Sequence, residues 1–161
     1  MPHYIQGDIF AASNERHADL AIIFGHIGLN EMRLSWRSFA DRMPRLAHIR
    51  DPFSEMPCEP YQYSDGRWLW FFSGCDNHGM TDAQLESALE QALSWAQAND
   101  LRTVITNGIA NTDHGHDTIT NRQSDDSRVR FISGLAGNHE RTKKVDITLI
   151  SLNDAFVRNV A

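Results

Sequence analysis

The sequence predicts a three-layer α/β/α domain built on a mostly parallel central sheet. Short apolar runs alternate with segments of helical periodicity, and most of the runs end on a glycine or an asparagine turn. The runs are apolar at consecutive positions, as in strands covered on both faces. Helices of about 10–17 residues between such strands imply crossover connections, which place helices on both sides of a parallel sheet. The chain has 161 residues, 41% hydrophobic and 22% charged. That is ordinary globular usage, and residues 1–161 are expected to form one domain.

The elements follow in order. Tyr4-Ile5 and Ile9-Phe10 bracket a short first strand that runs into Gly7-Asp8. Leu20 to Phe24 is a continuous apolar run ended by Gly25, the pattern of a strand buried on both faces. Glu31 to Met43 reads as a helix, with Met32, Trp36, Phe39, Ala40 and Met43 at helical spacing and Pro44 ending it. Asp51 to Asp65 carries Pro52, Pro57 and Pro60 and is expected to be loop. Trp68 to Phe72 is a strand stopped by Ser73-Gly74. Thr81 with Gln84 three residues later is a capping-box signature opening a helix over Asp82 to Ala98. Its stripe of Leu85, Ala88, Leu89, Ala92, Leu93 and Ala96 is core, as are Trp36, Trp68 and Trp70. Thr103 to Thr106 is a strand, Asp125 to Leu135 a helix, and Val145 to Ile150 the closing strand.

Composition narrows the function. A net charge of -6 sets aside phosphate-backbone binding as the main activity, because that needs a concentrated positive field. Arg33 and Arg37 are the candidates for a local basic patch. Met1 to Tyr4 shows no basic and apolar leader, and no run approaches the ~20 apolar residues of a membrane span. Cys58 and Cys75 make neither a disulfide framework nor a zinc ribbon. A cytoplasmic protein is expected, with neither nucleic acid nor membrane among its partners.

In parallel sheets ligands sit outside the carboxyl ends of the strands. Gly25-His26-Ile27-Gly28, Ser73-Gly74-Cys75-Asp76 and Asn107-Gly108-Ile109-Ala110-Asn111 stand at those ends. Their glycines let backbone N–H groups approach a ligand closely. Asp113-His114-Gly115-His116-Asp117 gathers imidazoles and carboxylates, and His78 or Asp76 could complete a metal site with His114, His116 and Asp117. The spacing matches no established metal signature, so a polar ligand loop is the reading and no metal or cofactor is expected. Ser73 and Cys75 lack a nucleophile elbow, and no Gly-x-Gly-x-x-Gly or Walker loop is present.

Tyr4-Ile5-Gln6-Gly7-Asp8-Ile9-Phe10 resembles the opening strand of ADP-ribose-binding macrodomains, which carry a Gly-Asp-Ile signature there. Ala21 to Met32 stands where that family places its second strand and first ligand loop. Asn107-Gly108-Ile109-Ala110-Asn111-Thr112, after a helix and a strand, stands at its second phosphate loop. The resemblance implies that Asp8 accepts a hydrogen bond from the adenine amino group. It implies a ligand lined by Gly7, Asp8 and Ile9, by Gly25, His26, Ile27, Gly28, Asn30 and Met32, by Ser73, and by Asn107 to Thr112. The chain departs from the family where glycines wrap the distal ribose, here Arg33-Leu34-Ser35, and where Gly-x-Gly holds the pyrophosphate, here Ala110-Asn111-Thr112. The resemblance therefore implies binding of ADP-ribose or a related nucleotide, with or without catalysis. A hydrolase of ADP-ribosyl or ADP-ribose-phosphate bonds would draw on His26, Asn30 or His114. A metal-dependent hydrolase on the His-rich loop and an interaction protein whose cleft has lost its ligand stay open.

Overall fold

The computed structural model describes residues 2–25, 33–73, 81–107, 119–152 and 154–158. Six strands form one sheet: β1 (His3–Gln6), β2 (Leu20–Gly25), β3 (Tyr61–Ser64), β4 (Arg67–Ser73), β5 (Thr103–Thr106) and β6 (Asp146–Ser151). Their order is β1-β6-β5-β2-β4-β3, parallel throughout except for β3, which runs antiparallel to β4 at the edge. The helices are α1 (Ile9–Glu15), α2 (Arg33–Ala40), α3 (Pro52–Glu55), α4 (Asp82–Ala98), α5 (Ile119–Lys143) and α6 (Ala155–Arg158).

Strand alternation divides the core into two clusters, one on each face. Leu20, Ile22 and Phe24 pack with Val104, Ile147 and Leu149 under the stripes of α4 and α5. Ala21 and Ile23 pack with Ile105 and Ile150 against Ile9 and Phe10 of α1 and Trp36 and Phe39 of α2. Every residue of β2 is buried, which is why its sequence is apolar without a break. The expected three layers are present. No helix among the described residues is long and apolar enough to cross a membrane.

Several expectations change, among them the end of the helix expected to reach Met43, which stops at Ala40. Ile9 and Phe10 do not belong to the first strand: Asp8 caps α1, its Oδ2 accepting from the Ala11 N–H at 3.1 Å, so the chain turns helical at once. The stretch from Asp51 to Asp65 is not loop throughout. It holds α3, capped by Asp51 and opened by Pro52, and β3, joined to β4 through Asp65-Gly66. Gly66 takes φ +78°, the left-handed geometry an Asp-Gly hairpin turn requires. The helix expected over Asp125 to Leu135 runs from Ile119 to Lys143, and α6 follows β6. Arg37 offers no free basic patch. Its guanidinium donates to the Ile49 and Ala47 carbonyls and pairs with Asp41 at 2.7 Å, fastening the chain beyond α2.

Thr81 forms the expected capping box, with reciprocal bonds to Gln84, and α4 covers the expected span. Trp36 and Trp70 are core, and the Trp36 indole N–H donates to the Ile49 carbonyl at 2.8 Å.

Candidate functional site

The chain leaves β2 toward β4 by way of α2, which covers one face of the sheet. It leaves the neighbouring strand β5 toward β6 by way of α5, which covers the other face. Adjacent parallel strands whose exits diverge in this way leave a crevice between their carboxyl ends, the topological switch point where such sheets hold ligands. Here it falls between Gly25 and Asn107.

The backbones already part at this point. The β2–β5 register ends at Ile22 opposite Thr106, which leaves Phe24 without a backbone partner on β5. Asn107 supplies one with its side chain: Oδ1 accepts from the Phe24 N–H at 2.8 Å, and Nδ2 donates to the Phe24 carbonyl at 3.1 Å. The amide thus extends the ladder while the Asn107 main chain turns away. Below it the Thr106 hydroxyl is buried and has no hydrogen-bond partner among the described residues.

At the far end of the same edge, the Gly7 N–H donates to the Ser151 carbonyl at 2.8 Å, which continues the β1–β6 pairing. Asp8 follows, half-buried, with one carboxylate oxygen on the α1 N-terminus. Ile9 packs into the core and is 4% exposed. From Asp8 to Gly25 the edge crosses β1, β6, β5 and β2, about 14 Å at the usual inter-strand spacing.

The other boundary comes from residues the sequence reading left in a loop. α3 lies over the ends of β2 and β4, where Gly25 pairs with Ser73. The Ser73 hydroxyl donates to the Phe53 carbonyl at 3.1 Å, and the Phe53 ring packs on Gly25 and edge-on against Phe71, centroids 5.3 Å apart. Gly25 is glycine because a Cβ there would fall inside the Phe53 ring's contact distance. The N–H groups of Asp51 and Arg50 bond the Glu55 carboxylate and hold its pKa below the usual carboxylate value. The signal in the sequence was Asp51-Pro52 with Glu55 behind it, a capped start with proline at the first helical position.

Of the expected site residues, Gly7, Asp8, Ile9, Gly25, Ser73 and Asn107 stand along this one edge. His26, Ile27, Gly28, Asn30 and Met32 lie outside the described residues, as do Gly108, Ile109, Ala110, Asn111 and Thr112. So do His78, His114, His116 and Asp117 of the alternative metal site. Among the described residues no group of three or more His, Cys, Asp or Glu could hold a metal ion.

Neither a family model nor a curated protein matches the sequence. Solved structures do match the fold. A Trypanosoma brucei macrodomain in complex with ADP superposes with a TM-score of 0.67 at 13% identity, covering 97% of this chain and 66% of that one. The chain has the macrodomain fold. A Trypanosoma brucei macrodomain in complex with ADP-ribose gives 0.61 at 11% identity over 98% of this chain and 67% of its own. An Oceanobacillus iheyensis macrodomain with MES bound gives 0.55 at 11%, over 97% and 86%. This macrodomain-fold chain therefore spans about two-thirds of the length of the trypanosomal chains. Its identity to all of them is low, so the likeness is one of architecture.

Proposed function

We propose that the protein binds ADP-ribose or a related nucleotide across the carboxyl edge of its sheet. The observation that carries this reading is the switch point between Gly25 and Asn107. Asp8 and the Ile9 backbone receive the base at the β1 end, where the Asp8 oxygen not spent on the helix cap accepts from an exocyclic amino group. The diphosphate lies over the Gly25–Asn107 junction, where the segments 26–32 and 108–118 begin. His26, Ile27, Gly28, Asn30 and Met32 from the first segment line it, with Ser73 beside them. Gly108, Ile109, Ala110, Asn111 and Thr112 from the second hold phosphate or ribose oxygens through their N–H groups. Support comes from the width of the edge and from the fold, in which neighbours of the same architecture were crystallised with ADP and ADP-ribose. The reading is one of binding and includes no bond-breaking step.

Calorimetric titration of the chain with AMP, ADP and ADP-ribose tests it. A dissociation constant below about 1 mM for at least one of them is expected. Silence with all three removes the proposal.

A further inference from the structure

We propose that Phe53 closes the crevice at the β2–β4 boundary, so that the site accepts a nucleoside diphosphate and excludes a second sugar beyond it. This rests on the nucleotide reading above and narrows its ligand class.

Gly25 ends β2 in alternation with Ala21 and Ile23, so its missing side chain belongs to the face covered by α1 and α2. The Phe53 ring occupies that place. A Cβ built on Gly25 would lie against Cζ, with Cε2 at 2.8 Å and Cε1 at 3.0 Å. Such approaches are too close for non-bonded carbon, so the ring and any β2 side chain at this position exclude each other.

Both the ring and the backbone of Phe53 are held in place. Phe71 meets the ring at an interplanar angle of 90°. The Phe53 carbonyl accepts from Ser73 Oγ, and the Phe53 N–H donates to Asp51 Oδ1 at 3.1 Å. Pro52 and Met56 of the same segment are buried. All of these partners are described residues, so the wall stands independently of the segments 26–32, 74–80 and 108–118.

Its place along the edge sets the ligand class. A nucleotide whose base lies at Asp8 crosses β6 and β5 and reaches β2 with its diphosphate. The next unit, a second pentose, would reach the Gly25–Ser73 pair, against which Phe53 is packed. The ring presents apolar surface there, and a sugar hydroxyl buried against it without a partner is unfavourable.

Calorimetry with ADP and with ADP-ribose, on the wild-type chain and on Phe53→Ala and Phe53→Leu, tests the inference. Wild type should bind ADP more tightly than ADP-ribose by about tenfold. Phe53→Ala should tighten ADP-ribose by about tenfold and leave ADP within about threefold. Phe53→Leu keeps an apolar filling and should shift the same way by less, so the inference stays testable should the alanine variant fail to fold. Wild type preferring ADP-ribose, or Phe53 variants shifting both ligands equally, overturns the inference alone. No binding of either nucleotide to wild type overturns the nucleotide reading and this inference with it.

Discussion

Asn107 spends both ends of its side-chain amide on the backbone of Phe24, at 2.8 and 3.1 Å. Truncation would leave a partly buried N–H and carbonyl without partners. Asn107→Ala is therefore expected to lose about 2–3 kcal/mol of unfolding free energy in urea titration. Asn107→Asp keeps the acceptor, sets a carboxylate oxygen against the Phe24 carbonyl and should also destabilise. One position earlier the opposite sign is expected. The Thr106 hydroxyl is buried and has no partner among the described residues, so Thr106→Val should stabilise the chain by about 1 kcal/mol in the same titration. An unchanged or lower stability would mean that the hydroxyl has a partner in solution. Neither role was legible in the sequence. Asn107 reads there as a residue that ends a strand, and only the early end of the β2–β5 register explains why an amide is needed.

The helices differ in how plainly they were written. α4 was legible because its cap and its stripe are both local: Thr81 and Gln84 satisfy each other across three residues, and apolar positions recur every turn. Thr81→Ala should cost about 1 kcal/mol and lower the thermal midpoint. α1 was missed because Asp8 serves a helix where Gly7-Asp8 reads as a strand end. α5 was read short because its buried row of Val129, Ile132 and Ala136 ends on His139, a polar residue at a core position. His139 Nδ1 lies 3.7 Å from Glu90 of α4, and Glu90 also takes a bond from Lys143 at 3.2 Å. Burial first, and the Lys143 charge second, hold the His139 pKa below its ordinary value, against the attraction of Glu90 and Glu86.

The unfolded chain thus takes up this proton before the folded one does. The His139 contribution to stability is complete above the ordinary histidine pKa of about 6.5 and is lost as pH falls through and below it. Thermal midpoints between about pH 8 and pH 5.5 should fall in wild type and fall less in His139→Gln. Parallel curves for the two proteins would remove His139 as the cause.

In the molecule as a whole, the layering and the edge that carries the candidate site were readable from alternation alone. Apolar runs at Leu20–Phe24, Trp68–Phe72 and Thr103–Thr106 name the strands, and parallel pairing puts their following turns together. The wall over the β2–β4 end was not readable. It depends on α3 folding back from a proline-rich stretch distant in sequence from both strands, a contact that no local pattern encodes. The proposed binding depends on geometry at one edge: Asp8 at one end, Asn107 bridging the switch point, and Phe53 on Gly25 at the other end.

A backbone-amide NMR titration with ADP reads that edge most directly. Shift changes are expected at Asp8, Ile9, Gly25 and Asn107, and none at Asp19, Thr103 and Asp146, which stand at the amino ends of β2, β5 and β6. Unmoved spectra at about 5 mM ADP, or changes centred on those amino ends, would contradict the proposed binding.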